Sequence, residues 1–418
     1  MQSPIVVPAS EAGLVSVPEF VEQLRALGDR VRSESSEADV RHLKKIEWWG
    51  RLCTLVGYAS AWIVPNPVSA FLMSQGNLTR WLLMHHIGHG GYDGVPGIPE
   101  RYTTRRFAVG MRRWLDWPDW MVPAAWNYEH NRLHHYHLNE AGDPDLVQRN
   151  VAWLRQARLA RPLKLVLVAF AMVSWKWFYY APSTLRELES RARQVGAKAE
   201  GGRTPLGLSP ESEQKTGAAY ALRHFISLVR PSLWLRCYLP YMAYRFGLLP
   251  LLFLPLGWWA WFSVLMNSLL AEVITNVHTF IVIVPNHAGD DMPVFNERPE
   301  SFDENLVRQV VGSVNYRTGG DGNDFLHMWL NYQIEHHVWP RMTMLGYQRV
   351  QAELKTLCDR HQVPYVQHSV WYRLWQTVRV MMGEGTHRVW QGSLMTERGS
   401  DLAELVLPLQ GATQTAAS

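Results

Sequence analysis

Cysteine is nearly missing from this chain: Cys53, Cys237 and Cys358 are its only three among 418 residues, and no C-x-x-C occurs. That argues against a disulfide framework or a zinc–thiolate site, and it suits a reducing compartment. Charge is missing locally. Residues 246–271 carry none, whereas the charged residues, 19% of the chain, gather in the first 45 residues, in 182–231 and after 340. This distribution fits a few membrane spans attached to substantial cytosolic mass, and the net charge of +4 adds little. No signal-peptide pattern opens the chain: residues 17–33 read as a soluble amphipathic helix, followed by the polar run "SESSEADVRHLKK". No internal repeat appears, and only residues 194–216 and the tail after 408 look like low-complexity linker.

Aromatic residues are abundant, with 20 Trp, 16 Tyr and 13 Phe. A membrane span needs roughly 20 predominantly apolar residues. Residues 46–65 and 67–86 read as a hairpin broken at Pro65-Asn66-Pro67, its second limb interrupted by Gln75, Asn77 and Arg80. Arg41, Lys44 and Lys45 precede the first limb and set that end in the cytosol. A second pair follows at about 233–254 and 259–285, turning near "PLGWW". The run "LVLVAFAMVSW" (165–175) is short for a span and reads as an interfacial helix; were it to cross, the arginine-rich stretch behind it would lie outside. Four spans leave a cytosolic N-terminal segment (1–45), a membrane domain (46–375) and a C-terminal tail (376–418). The expected architecture is an all-α integral membrane protein, four transmembrane helices under a cytosolic helical cap that holds a di-metal site.

More than half of the 17 histidines fall in three short windows, all on one side of that topology. "HHIGHGGYD" sets His85 four residues before His89, so both imidazoles share a helix face. "EHNRLHHYHLNEAGDPD" repeats the spacing with His130 and His134 and adds His135; "NYQIEHH" brings Gln333, His336 and His337 together. Surface histidines are the blander reading of any one window, but neither helix propensity nor packing favours such crowding in all three. Imidazole suits iron, zinc or copper, and seven or eight nitrogens exceed one tetrahedral zinc, so two metals are implied. His86 reads as a supporting or surface residue, and a fourth ligand at His137 would crowd its helix face. Asp143 and Asp145 in "GDPD", with Asn139, either form a turn or orient ligand histidines. Arg101, Arg105, Arg106, Arg112 and Arg113, interleaved with Trp114, Trp117, Trp120 and Trp126, read as a helix lying at the headgroup level. A dock for an anionic substrate head is the sharper alternative.

With these motifs in place, the chain from about residue 46 to 375 resembles the membrane fatty acid desaturase family. "HHIGH", "HNRLHH" and "NYQIEHH" match its three histidine boxes in order and spacing. Gln333 in the third box resembles the front-end subgroup, which inserts a double bond on the carboxyl side of an existing one. The resemblance implies a di-iron centre at the cytosolic mouth of four helices, O2 as co-substrate and a membrane-embedded fatty acyl substrate in a hydrophobic tunnel. It also implies a ligand between the last span and the third box. "VPNHAGDD" supplies His287 there, whereas His278, roughly 13 Å deeper along the helix, reads as a polar core residue. Front-end relatives often carry a fused cytochrome b5 domain with a His-Pro-Gly-Gly motif. That motif is absent here, so a separate electron donor, ferredoxin or cytochrome b5, is expected. His86 stands where relatives often have an acidic residue.

Breaking unactivated methylene C–H bonds calls for an oxidising metal–oxygen system rather than acid–base chemistry. Within that class a hydroxylase or a decarboxylase would use the same boxes. A membrane zinc hydrolase is the rival of another class, disfavoured by the excess of histidines and the lack of a catalytic carboxylate in a box. A lipid-binding protein that keeps the fold is a further one. Glu335 is expected to point away from the metals and support the turn. Finally, Arg245 and Glu272 come to similar depth in the second hairpin, where an unpaired charge is costly, so a buried ion pair is expected.

Overall fold

The computed structural model describes residues 17–199, 226–390 and 394. The linker-like stretch beyond residue 199 and the tail after 408 lie outside them. The fold is mostly helical. Among the described residues the helices of ten residues or more are α1 (Val17–Ser33), α2 (Glu37–Ala61), α3 (Pro67–Gly88), α4 (Arg161–Trp175), α5 (Ala181–Ala199), α6 (Trp258–Ile283), α7 (Phe302–Val311), α8 (Met344–Arg360) and α9 (Val370–Met382). Two short parallel strand pairs, 293–295 with 388–390 and 315–316 with 367–368, tie loops together around this helical body.

α2 and α3 form the expected antiparallel hairpin. Ser36 caps α2 in a reciprocal box with Asp39, and Asn66 caps α3 just before Pro67, whose fixed φ suits a first helical turn. Small residues let the two helices meet closely: a Cβ at Gly50 would stand 2.4 Å from the Thr79 side chain, and one at Gly57 only 2.9 Å from the Met73 backbone nitrogen. Asn267 on α6 clamps the far end of the hairpin, donating to the Ala61 carbonyl at 2.9 Å and accepting from the Asn66 N–H at 2.9 Å.

Domain boundaries drawn at 45 and 375 fall inside α2 and α9 respectively. The described C-terminal residues are packed rather than trailing, with Thr377, Val380 and Met381 buried. The run 165–175 is also longer than its apolar core suggests. α4 continues through a π-helical stretch, Lys176–Tyr180, straight into α5. Among the described residues, three helical stretches are long and apolar enough to cross a membrane: Arg161–Val195, Pro231–Leu256 and Trp258–His287. The α2–α3 hairpin is not among them, since polar residues such as Gln75, Asn77 and Arg80 dilute it.

Pro231–Leu256 is irregular around its prolines. Pro240 and Pro250 lack an N–H and crowd the carbonyl four residues back, and π-helical segments, Trp234–Tyr238 and Ala243–Leu248, precede them. The carbonyl of Arg236, which Pro240 cannot serve, accepts instead from Arg113 Nη1 at 3.0 Å.

Two expectations are corrected here. The arginine–tryptophan stretch is not one long helix but a chain of short turns, with a one-turn helix at Arg113–Asp116 and Trp126 on the short helix Pro123–Tyr128. Four of its five arginines are engaged within the chain, which argues against an open anion dock. Arg101 pairs with Glu47, Arg106 with Glu100 and Arg112 with Asp116, while Arg113 serves the carbonyls of Asp119, Met121 and Arg236. Arg245 and Glu272 are both buried as expected, yet they form no ion pair. Arg245 donates to the Tyr58 hydroxyl at 2.6 Å, and Glu272 accepts from Trp120 Nε1 at 2.6 Å and Tyr241 at 2.8 Å. Equal depth brought the two charges to one level without turning them toward each other.

Candidate metal centre

The three histidine windows converge. α3 delivers His85 in its last turn, and His89 just beyond keeps the register, its N–H bonded to the His85 carbonyl at 3.2 Å. The second window lies on a π-helical turn, Glu129–His134, in which the His135 N–H reaches the His130 carbonyl five residues back. Such a widened turn fans its side chains differently from an α-helix and recurs at functional sites. The short helix Gln333–Val338 supplies the third window. His287 comes from the 3-10 turn Val284–His287 that ends α6.

Two groups of nitrogens result. His85, His89, His130 and His336 each bring a ring nitrogen within 4.8 Å of the others, and so do His134, His287 and His337. Within the first group the Nε2 atoms of His85 and His336 lie 2.9 Å apart and those of His130 and His85 3.3 Å. In the second, the Nε2 atoms of His337 and His287 are 3.2 Å apart. His135 stands between the groups, its ring centroid 4.5 Å from that of His89 and 4.3 Å from that of His337. All eight are buried.

Many of these nitrogens find no partner in the chain: Nδ1 of His85 and His130, Nε2 of His89 and both nitrogens of His135. Leaving buried polar atoms unsatisfied is costly, and a bound cation would satisfy one nitrogen of each ring that faces it. Burial, reinforced by the neighbouring imidazoles, holds the pKa values of His89, His130, His135, His336 and His337 well below the ordinary range. Neutral imidazole is the ligating form, so the donor set fits metal.

A surrounding layer fixes ring orientation. His134 Nδ1 lies 2.9 Å from Asp143 Oδ1, and the same carboxylate accepts the N–H groups of Asn139 and Asp145, both at 2.9 Å. The turn and the orienting role offered as alternatives are thus one arrangement. Asp145 stands farther off, 3.9 Å from His134. Asn139, at φ 56°, gives its side-chain amide to the Gly312 carbonyl and bonds none of the histidines. Gln333 Nε2 lies 2.8 Å from His287 Nε2. Glu335 turns away from the centre and accepts from Asn315 at 2.8 Å and Tyr365 at 2.7 Å. His86 is buried and stacked on His85, which removes the surface reading. His137 pairs with Glu140 outside both groups, and His278 binds the Leu326 carbonyl at 2.7 Å.

Sequence reasoning missed three residues. Gln309 Oε1 lies 2.9 Å from His337 Nδ1, and the Tyr347 hydroxyl 3.2 Å from His336 Nδ1. Gln309 lies 28 residues before His337 and Tyr347 11 residues after His336, both outside the histidine motifs. Glu129, directly before His130, is fully buried with neither carboxylate oxygen bonded. Burial and the nearby Asp145 and Asp143 push its pKa well above the carboxylate range. Its adjacency to the box was its only signal.

The family model for fatty acid desaturase matches residues 60–369. This chain belongs to the fatty acid desaturase family. It is similar to the NADPH-dependent stearoyl-CoA 9-desaturase of Mycobacterium tuberculosis, 24% identical over 71% of this chain and 62% of that protein. The acyl-lipid (7-3)-desaturase, chloroplastic, of Chlamydomonas reinhardtii is 24% identical over 83% of this chain and 63% of its own length. The Delta(8)-fatty-acid desaturase of Euglena gracilis is 31% identical across a shorter match, 24% of this chain and 23% of that protein. The chain therefore spans under two thirds of the length of these relatives.

In this desaturase-family chain an apolar cavity of about 410 Å³ abuts the metal centre. His85, His130, His134, His287 and Gln333 form one part of its wall, and Phe170, Trp175, Phe178 and Phe280 are among its apolar lining.

Proposed function

We propose that this protein is an oxidoreductase that introduces a C=C bond into a fatty acyl chain, using two iron ions, O2 and electrons from a separate carrier such as ferredoxin or cytochrome b5. One observation carries the reading: a single apolar chamber is walled by histidines of both metal-binding groups. The family and the named relatives support acyl desaturation. His85, His89, His130 and His336 would hold one ion and His134, His287 and His337 the other, with His135 between them. When bound, iron supplies the O2-dependent oxidation that an unactivated methylene demands. The chain's own contribution is placement. The chamber takes an extended alkyl segment, sets it against His85, His130, His134 and His287, and excludes water around it. Asp143, Gln309 and Tyr347 keep the rings aimed, and Gln333 fills the space beside His287.

Four spans, formed by α2, α3, the stretch Pro231–Leu256 and α6, complete the proposal, with the histidines facing the cytoplasm. Exposed Leu52, Leu55 and Val56 on α2 support a lipid-facing first hairpin, and Arg41, Lys44 and Lys45 support the orientation. α4 then lies along the interface, where its exposed Leu163, Val166 and Phe170 meet lipid.

Fatty-acid profiling of a host expressing the chain tests this. A new unsaturated fatty acid is expected, and it should vanish with His336→Ala. A hydroxylated or shortened product would place the enzyme elsewhere in its chemical class, and no product with bound zinc would overturn the reading.

A further inference from the structure

His287 is held differently from the other rings of its group. Nδ1 of His134 meets Asp143, and Nδ1 of His337 meets Gln309, but no side chain bonds Nδ1 of His287. Its Nε2 faces His337 Nε2 at 3.2 Å and Gln333 Nε2 at 2.8 Å, inside the centre. The aim of this ring therefore depends on where its backbone lies.

That backbone is the open end of a helix. Carbonyls at the end of α6 and in the turn Val284–His287 have no further helical turn to serve them, and they carry the negative end of the helix dipole. Arg373, on α9, takes up that end. Its Nε donates to the Pro285 carbonyl at 3.3 Å and its Nη2 to the Ala288 carbonyl at 3.1 Å, one on each side of His287. Nη1 lies 2.6 Å from both carboxylate oxygens of Asp291. The side chain is fully buried, and all three guanidinium nitrogens are engaged by residues 285–291.

Other residues reinforce this grip. Thr377, one turn along α9, donates to the same Ala288 carbonyl at 3.2 Å, and Gln376 and Arg379 hold Asp290 at 2.6 Å and 2.7 Å. Gly289 leaves the room it needs: a Cβ there would stand 2.6 Å from Arg373 Nη2 and 2.3 Å from Asp291 Oδ1. From the other side Asn286 donates to the Leu330 carbonyl at 3.0 Å, which ties the turn to the start of the third histidine window. A buried ion pair is by itself weak evidence for stability. What this one does is fix several backbone points at once, and a planar guanidinium can do so where a lysine ammonium cannot.

We infer that Arg373 is a positioning residue for the second nitrogen group: it clamps the backbone of residues 285–291 and through it sets the ring of His287 against His134 and His337. The inference rests on the two-ion reading above. It adds to that site a residue far outside the histidine windows, on a helix that touches the centre only through this loop.

Cobalt(II) titration of the full-length, metal-stripped protein in a non-ionic detergent tests this, read by visible absorption, which reports ligation without turnover. Two binding events per chain are expected, and His287→Ala identifies the one belonging to its group by weakening it. Arg373→Lys should weaken that same event by roughly tenfold or more, the scale of losing outer support at a metal site, and leave the other event unchanged. Gly289→Ala removes no ligand and no charge but crowds the guanidinium, and it should act on the same event. It also carries the test should Arg373→Lys fail to fold. An arginine that merely stabilises the fold would move both events together or neither. An unaltered second event in either folded variant, or an equal loss at both events, would overturn the inference. A single event in the unmutated protein would sink the two-ion reading itself, whereas two events indifferent to Arg373 would sink only this inference.

Discussion

Asp143 Oδ1 lies 2.9 Å from His134 Nδ1 and leaves the opposite face of that ring to the second nitrogen group. Burial opposes charge on this histidine, but the carboxylate overcomes it and raises its pKa above the ordinary value. The contact also fixes the tautomer that presents Nε2 as an acceptor of metal. Removing such a partner typically costs about 10–100-fold in metal affinity. Asp143→Ala should therefore release metal at a correspondingly lower chelator concentration while the protein stays inserted and helical. Metal content after dialysis against a graded chelator series decides this, and an unchanged release curve would refute the role.

Gln309 and Tyr347 should divide their effects between the two groups. Gln309 Oε1 supports His337 at 2.9 Å, and the Tyr347 hydroxyl meets His336 at a looser 3.2 Å while also serving the Trp339 carbonyl at 3.1 Å. Gln309→Leu should reduce bound metal toward one ion per chain, and Tyr347→Phe should leave both ions with a smaller loss of turnover. Elemental analysis of the two purified variants separates them. Equal metal loss in both would mean the groups are not independently supported.

How much of this was readable in advance follows from the range of each interaction. The i,i+4 pairs His85–His89 and His130–His134 are local, so their spacing predicted shared faces. The π-helical turn under the second pair has no sequence mark, and on it His130 and His134 join different nitrogen groups. Gln309 and Tyr347 lie outside the histidine motifs, on α7 and α8 at either side of the third one. The charge-free run 246–271 announced the second hairpin, and Pro240 and Pro250 could have announced its π-helical irregularities. The arginine–tryptophan stretch misled because alternating cationic and aromatic residues suit a bilayer surface and a cross-braced loop equally well. In that loop Glu47 and Asp116 take up the charge.

Asp321 gives a pH-dependent prediction away from the metal centre. It joins the start of α2 to α8 by accepting from Lys45 and from Gln348 and by meeting His42 Nε2 at 3.2 Å. Burial alone would raise its pKa, but these partners hold it down to about 2. A carboxylate depressed in the folded state stabilises the fold above its unfolded pKa, and that contribution drains away as pH falls through the folded one. Asp321→Asn should therefore lower the melting temperature at pH 6, and the gap to the unmutated protein should shrink as pH drops from about 4 toward 2. A gap that does not vary across that window would show that the carboxylate charge contributes nothing.

The last prediction concerns how the buried Arg245 is satisfied. Its guanidinium is buried among helices with Nε and Nη2 unpartnered, and its donated bond goes from Nη1 to the Tyr58 hydroxyl at 2.6 Å. Its ring neighbour is the same tyrosine, 5.8 Å from guanidinium carbon to ring centroid. A hydrogen bond involving a charged group contributes roughly 1.5–3 kcal/mol, and an unpaired charge at this depth is costly. Tyr58→Phe should therefore destabilise the fold by an amount in that range, and Arg245→Met by a similar or smaller one, since it removes the charge together with its need. The double variant should be no worse than Tyr58→Phe alone, which corresponds to a coupling at least as large as the Arg245→Met effect itself. Glu272 is held by Trp120 and Tyr241 instead, so Glu272→Gln combined with Arg245→Met should come closer to the sum of the single effects. Unfolding in mixed detergent micelles, followed by far-ultraviolet circular dichroism, measures both cycles. A larger coupling for Arg245 with Glu272 than with Tyr58 would mean that the two charges, and not the arginine–tyrosine contact, hold the second hairpin against the first.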